Sequence, residues 1–229
     1  MTAILQTHPK IGLALGGGGA RGLAHVPVLE TLDACRIVPA AVAGTSMGAI
    51  IGALYASGKS GQEIRQLVQQ HRVARGESLA ALYRKKATLL KWLNAVRPAW
   101  NGAGLIHADG FLQHLVEAIG VRTFEELRIP LTVVATDFYA GEAVVFDRGP
   151  LLPALQASMA IPGVFVPVVY QGRILVDGGV SNNLPYDLLP PECAVTIAVD
   201  VAPARDQADA KPPKLLDATL GMFDLLVER

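Results

Sequence analysis

The chain has 229 residues, enough for one generous domain and short for two independent ones. Hydrophobic residues make up 51% and charged residues 17%, which excludes a disordered chain and leaves ample material for a core. Twenty basic side chains balance twenty acidic ones, so no global field favours nucleic acid, and Cys35 and Cys193 alone cannot form a disulfide scaffold.

Residues 1–10 read as an N-terminal tail without the basic-then-apolar order of a signal peptide, so a cytoplasmic location is expected. Ile11–Leu15 is a short apolar run closed by glycines, the pattern of a buried strand. Ala20–Ala34 reads as a helix that Pro27 should kink or rob of a backbone bond. Ala40–Ala43 is a second strand, followed by a small-residue helix from Ser46 to Ala56. Ser60-Gly-Gln-Glu63 has capping-box spacing, with Ile64, Leu67 and Val68 following at helical intervals.

His107–Ile119 is a further helix candidate, and Thr123-Phe-Glu-Glu126 has the spacing of another capping box. Leu131–Ala135 and Ala143–Phe146 are strand-like, and Leu151–Ala160 should be helical up to Pro162. Val166–Tyr170 and Arg173–Val176, separated by Gln171-Gly172, predict a hairpin. Ala194–Val201 is expected as a last buried strand, and 202–229 reads as a linker followed by a C-terminal helix over Leu215–Val227. Ile37–Gly58 and Gly149–Gly172 carry no charge, but their glycines and prolines suit buried protein better than a lipid-exposed span. The alternation of strand and helix predicts an α/β fold with a mainly parallel, covered sheet.

Two glycine-rich turns carry the chemistry. Gly16-Gly-Gly-Gly-Ala-Arg-Gly22 lies between a strand and a helix, where backbone amides can crowd around an anion. Gly17 to Gly22 also matches G-x-G-x-x-G, but a dinucleotide site wants an acidic residue at the end of the second strand, and Ala40–Thr45 offers none. That strand ends instead in Gly44-Thr-Ser-Met-Gly48, a G-x-S-x-G turn that would expose the Ser46 hydroxyl at a helix N-terminus. An idle serine in a glycine-rich turn is the plain alternative. Beside an amide-rich loop, Ser46 becomes a candidate nucleophile of an acyl-transfer site.

A Ser, Asp, His triad in hydrolase order is absent, because no histidine follows His114. His25, three residues past Gly22, is expected to pack or hydrogen-bond locally rather than act as a base. The remaining candidate base is Asp177, at a strand end in Val176-Asp-Gly-Gly179 ahead of the polar turn Val180-Ser-Asn-Asn-Leu-Pro185; an ordinary turn aspartate is the alternative there. No metal-ligand spacing appears.

Four blocks in order resemble the bacterial patatin-like phospholipases: Gly17-Gly-Gly-Ala-Arg-Gly22, Gly44-Thr-Ser-Met-Gly48, Ser158-Met-Ala-Ile-Pro-Gly-Val-Phe-Val-Pro167 and Asp177-Gly-Gly-Val-Ser-Asn-Asn-Leu-Pro185. The resemblance implies a three-layer fold over residues 11–201, with a mainly parallel central sheet covered by helices. It implies a Ser–Asp dyad, with Ser46 as nucleophile and Asp177 as base. It also implies an oxyanion hole at Gly17, Gly18 and Gly19, Arg21 supporting that loop, and Gly44 and Gly48 shaping the nucleophile elbow. No metal and no nucleotide or other cofactor is implied. The expected substrate is a lipid acyl ester, in phospholipids or lysophospholipids. A hydrolase of soluble esters or thioesters and a non-catalytic lipid-binding module are the alternatives.

Within that domain, residues 72–105 form a basic, leucine-rich segment of lid-like or membrane-facing character. Between Arg72 and Arg97 stand seven basic side chains against Glu77 alone, interleaved with Leu79, Leu82, Tyr83, Trp92 and Leu93. Such a stretch suits peripheral contact of residues 72–97 with the inner face of an anionic membrane, the alternative being a solvated helical face.

Overall fold

The computed structural model describes residues 9–70, 97, 98, 106, 107, 117 and 119–202. Within them the chain alternates strand and helix: β1 (Ile11–Leu15), α1 (His25–Ala34), β2 (Ala41–Thr45), α2 (Met47–Ala56) and α3 (Gly61–Gln70). A short pair, β3 (Arg97–Pro98) and β4 (Ile106–His107), follows. The chain then forms β5 (Leu131–Asp137), β6 (Ala143–Phe146), α4 (Leu151–Ser158), β7 (Val168–Tyr170), β8 (Arg173–Asp177) and β9 (Val195–Val199).

Seven strands make one mixed sheet. Its centre is parallel, β9-β1-β2-β5. Strands β1, β2 and β5 are short, apolar, largely buried runs, as a covered parallel sheet requires. Strand β9, expected to be buried, is instead the edge strand and half-exposed, with Val195 42% exposed. The antiparallel part is built on β5. Strand β6 pairs with Val133–Thr136, while β2 pairs with Leu131–Val134 and β8 with Ala135–Asp137. Because β6 overlaps both, β2 and β8 share the other edge of β5 end to end. Thr45, the last residue of β2, therefore faces Val134, and Asp177, the last of β8, faces the next residue, Ala135.

Alternate residues of these strands, among them Leu13, Leu15, Val42, Leu131, Val133 and Leu175, pack with Leu29, Ile51, Ile64, Leu151 and Leu155 of α1 to α4 in one core. Asp33 ties three helices together, accepting from the Tyr55 hydroxyl at 2.8 Å and the Gly61 N–H at 2.7 Å. Glu30 pairs with Arg65 across α1 and α3. The first charge-free stretch and Leu151–Ala160 of the second are built into this core, whereas residues 161–172 are half-buried to exposed, with Val169 74% exposed. No helix of the described residues is long and apolar enough to cross a membrane.

Several local expectations change. Residues Gly19–Ala24 form a 3-10 turn and the α-helix starts only at His25. Pro27 thus occupies the first helical turn, where its missing N–H removes no intrahelical bond, and α1 is not broken. The Ser60–Glu63 box closes reciprocally: Glu63 N–H donates to Ser60 Oγ, and the Glu63 carboxylate accepts from Ser60 N–H. The second box does not cap a helix. Glu125 and Glu126 instead accept from Gly149 N–H and Arg122 N–H around a short 3-10 turn, Phe124–Glu126. His107 belongs to strand β4, so it does not open a helix; Glu117 and Ile119 are helical and the rest of that expected helix lies outside the described residues. The Gln171-Gly172 hairpin forms, with φ of 48° and 78° at the two turn residues as a two-residue hairpin turn demands. Nearly all of segment 72–105, and the expected C-terminal helix, lie outside the described residues.

Candidate active site

The chain leaves β2 at Thr45 and enters α2 at Met47, so one residue, Ser46, must turn the backbone. It does so with φ 53° and ψ −121°, a conformation that L-residues rarely adopt and that costs of order 1–3 kcal/mol. Neighbouring glycines make the turn sterically feasible. A Cβ on Gly48 would lie 2.1 Å from the Leu15 carbonyl oxygen, and one on Gly44 would lie 2.7 Å from the Gly48 carbonyl oxygen. These contacts explain why no side chain fits two residues before or two residues after the serine.

From the other direction β8 delivers Asp177. The Ser46 hydroxyl donates to Asp177 Oδ2 at 2.7 Å, and Gly179 N–H donates to Asp177 Oδ1 at 2.8 Å. Both side chains are buried, with Ser46 4% exposed and Asp177 0%. The chain beyond Asp177 presses against β5, where a Cβ on Gly178 would lie 2.2 Å from the Val134 carbonyl oxygen.

The end of α4 holds both partners. Ser158 Oγ accepts from Ser46 N–H at 2.8 Å, and the Ala160 carbonyl accepts from Asp177 N–H at 3.0 Å. Ser158 opens one of the four sequence blocks, but no role could be read for it there. The sole signal was a polar residue in an apolar helix (Leu151, Leu152, Ala154, Leu155, Ala157), where a buried hydroxyl needs a partner. The same criterion now marks the whole site. Among the described residues, the buried polar side chains are His25, Thr45, Ser46, Thr136, Ser158 and Asp177. Thr136 Oγ1 donates to the Asp177 carbonyl and Thr45 Oγ1 donates to the Asn182 carbonyl, so five of the six gather at this junction, while His25 lies against the Gly16 carbonyl of the glycine loop.

The glycine loop lies alongside: a Cβ on Gly17 would be 3.2 Å from Ser46 Cβ. Of the three glycines expected to offer amides, Gly17 is already engaged, its N–H donating to the Asn183 carbonyl at 3.0 Å. No described residue accepts from the Gly18 or Gly19 amides. Arg21 is exposed, and its N–H donates to the Gly18 carbonyl, closing the loop. His25 does not meet Ser46. Its Nε2 lies 2.8 Å from the Gly16 carbonyl oxygen, and burial lowers its pKa, holding the ring neutral. Among the described residues no group of three or more His, Cys, Asp or Glu could hold a metal ion.

Burial dominates the electrostatics of Asp177. Desolvation pushes its pKa up to about 7 against the opposing effect of the Ser46 and Gly179 hydrogen bonds. An acid protonated at Oδ2 would donate to Ser46 Oγ, so only the ionised form can accept the serine proton.

A family model for patatin-like phospholipase matches residues 13–190, and the chain belongs to that family. An uncharacterized NTE family protein of Mycobacterium tuberculosis is 35% identical over 237 residues, covering 98% of this chain and 60% of that relative. Patatin-like phospholipase domain-containing protein 7 of Rattus norvegicus is 34% identical over 210 residues, 90% of this chain and 14% of its own length. The chain thus spans about three-fifths of the mycobacterial relatives it matches. The fold is similar to that of VipD from Legionella pneumophila, with TM-score 0.51 and 16% identity over 82% of this chain and 49% of the other.

The raised carboxyl pKa has a sign that thermal unfolding can check. An aspartate at 3.8 when unfolded and about 7 when folded binds more protons in the folded state. Its ionisation therefore destabilises the fold progressively between pH 4 and 7, by roughly 4 kcal/mol above that window. The Asp177→Asn variant keeps the shape without the charge, since its amide can donate to Ser46 Oγ. It is expected to raise Tm at pH 8 by about 5–10 °C and to leave Tm at pH 4 nearly unchanged. Equal Tm values at pH 8 would contradict the burial of an ionised carboxylate.

Proposed function

We propose that this protein is a serine lipid acyl hydrolase that cleaves fatty-acyl ester bonds of phospholipids or lysophospholipids through a Ser46–Asp177 dyad. The observation that carries this reading is the 2.7 Å bond from the Ser46 hydroxyl to a buried carboxylate, made at a strained strand-to-helix turn beside unengaged loop amides. Family membership supports ester hydrolysis of lipids as the general chemistry.

Each step follows from those positions. Ser46 Oγ attacks the ester carbonyl carbon while its proton passes to Asp177 Oδ2. Charge that develops on the carbonyl oxygen is received by the Gly18 and Gly19 N–H groups, and by the N-terminus of α2 that Ser46 caps. Collapse of the tetrahedral intermediate breaks the ester C–O bond, and the departing alcohol takes the proton from Asp177. Water then gives its proton to Asp177 as it attacks the acyl-serine. On collapse the Ser46 Oγ–acyl bond breaks, Ser46 Oγ takes that proton back from Asp177 Oδ2, and the fatty acid is released. An aspartate of ordinary pKa would be a feeble acceptor for a hydroxyl proton; at about 7 it is matched to neutral pH. Gly179 N–H anchors the oxygen that does not take the proton, and so aims the other at Ser46.

In this reading the hydrolase unit comprises residues 11–201, with Arg21 supporting the oxyanion loop. The charge of residues 72–97 draws the protein to anionic lipid as a peripheral contact.

Fatty acid release from a panel of phospholipid and lysophospholipid vesicles tests the reading directly. Ser46→Ala is expected to lower it by at least about 10³-fold. Release that survives the substitution removes Ser46 as nucleophile, and no release from any lipid shifts the substrate to a soluble ester or thioester.

A second test is the pH profile. Activity should rise with pH through a single ionisation near 7, because the acceptor must be ionised. A histidine would titrate close to the same pH, so the discriminating observation is that His25→Gln leaves this limb in place. A limb that moves with His25 assigns the base to the imidazole.

Binding to vesicles containing anionic lipid should fall sharply when Lys85, Lys86 and Lys91 are all replaced by Glu, with co-sedimentation as the readout. Unchanged binding removes residues 72–97 from the membrane contact.

A further inference from the structure

Two side chains that the acyl-transfer steps leave unused hold the glycine loop from behind. His25, at the start of α1, is fully buried with Nε2 2.8 Å from the Gly16 carbonyl oxygen. A carbonyl can only accept, so Nε2 carries the proton and Nδ1 is the bare nitrogen. No described residue donates to Nδ1, so the ring makes this contact and no other hydrogen bond there. At the opposite end of the same peptide unit, Gly17 N–H donates to the Asn183 carbonyl at 3.0 Å. The Gly16–Gly17 peptide plane is thus pinned at both its oxygen and its nitrogen.

The next plane is gripped as well. Asn183 Nδ2 donates to the Gly17 carbonyl oxygen at 3.3 Å. That carbonyl shares its planar, trans peptide unit with Gly18 N–H, and the two groups of a trans peptide point in opposite directions. Fixing the Gly17 oxygen therefore fixes the direction of the Gly18 N–H, which meets no acceptor among the described residues. Asn183 serves both planes from one residue, its backbone accepting and its side chain donating.

From this geometry we infer that His25 and Asn183 are positioning residues, which clamp two successive peptide planes of the glycine loop and so aim the Gly18 N–H at the oxyanion. The inference rests on the acyl-transfer reading above. Its energetic logic is preorganisation: an amide already pointing at the developing charge needs no reorientation during the reaction. A glycine run without such a clamp samples many orientations, since glycine is the least restricted residue. A buried donor to Gly16 has to be neutral, a role that a lysine or arginine would fill only by carrying a charge into the core.

The test is steady-state hydrolysis of p-nitrophenyl butyrate, a monomeric ester that takes vesicle binding out of the measurement. Asn183→Asp keeps the side-chain shape but sets a carboxylate oxygen against the Gly17 carbonyl. His25→Ala removes the other clamp, and His25→Gln restores an N–H near the position of Nε2. The expected result is a fall in kcat of about 10- to 100-fold for Asn183→Asp and His25→Ala, with KM within about threefold of wild type. His25→Gln should return kcat to within about fivefold of wild type. Wild-type kcat in Asn183→Asp, or a His25→Gln variant as slow as His25→Ala, overturns the inference. Where thermal unfolding shows that His25→Ala does not fold, Asn183→Asp and His25→Gln decide it alone. Ser46→Ala separates the two readings: residual hydrolysis there fails the acyl-transfer proposal itself. An inert Ser46→Ala beside unimpaired clamp variants leaves that proposal standing and removes the clamp.

Discussion

Strand β5 is the ruler on which this molecule is laid out. Two strands running in opposite directions share one of its edges, and their carboxyl ends meet at consecutive positions, Val134 and Ala135. Ser46 leaves one strand there and Asp177 closes the other, although they are far apart in sequence. Because register in a sheet advances in whole residues, a slip of one position would turn the carboxylate to the opposite face and separate it from the hydroxyl. The crowding around the junction follows from the same constraint. Gly48 and Gly178 each bring their backbone against a carbonyl of a neighbouring strand or loop at distances that no Cβ permits. Their lack of a side chain is thus a packing requirement imposed by the place where the strands meet.

Local stability is low at this junction by design of the same contacts. Ser46 holds an unfavourable backbone conformation, and Asp177 would sooner be protonated than charged at its depth. Both conditions persist because the surroundings over-determine them: the Ser158 hydroxyl and the Ala160 carbonyl fix the two main chains, while Gly179 N–H and Ser46 Oγ share the carboxylate. Elsewhere the described core is almost purely aliphatic. Concentration of the buried polar side chains at one point is therefore itself a functional signal, since apolar packing would have been the more stable filling.

Much of this was legible in the amino-acid order where the determinants are local. Ile11–Leu15, the Gly44–Gly48 turn, the Ser60–Glu63 box and the Gln171-Gly172 hairpin each carry their cause within a few residues. Local patterns failed where position within an element mattered. Pro27 is harmless because a 3-10 turn precedes it and moves the helix start to His25, which no propensity announces. Thr123–Glu126 has the spacing of a helix cap, yet its carboxylates serve Gly149 and Arg122 instead. The tandem placement of β2 and β8 was not readable at all, because it depends on pairings between distant segments. For the same reason Ser158 had no assignable role and Gly17 could not be distinguished from Gly18 and Gly19.

A carboxylate that takes a proton directly from serine faces a problem that an intervening imidazole ordinarily solves. In a triad the aspartate stays charged and orients the ring, and the ring does the proton transfer at a pKa near neutrality. On the proposed reading one group here has to supply both the orientation and the matched pKa. The structure divides those tasks between the two oxygens of Asp177: Oδ1 is fixed by a backbone N–H, and Oδ2 is left to face the hydroxyl. Burial then sets the proton affinity. The two hydrogen bonds act in the opposite direction, favouring the ionised form, so the final value reflects a balance between depth and donor count. A third donor would lower the pKa toward that of an ordinary aspartate and weaken the base, whereas loss of the Gly179 contact would raise it and leave the carboxyl protonated at neutral pH. On the proposed reading, the short turn after Asp177 therefore does more than reverse the chain: it sets how many donors the carboxylate meets, and through that number the pH at which the site can work.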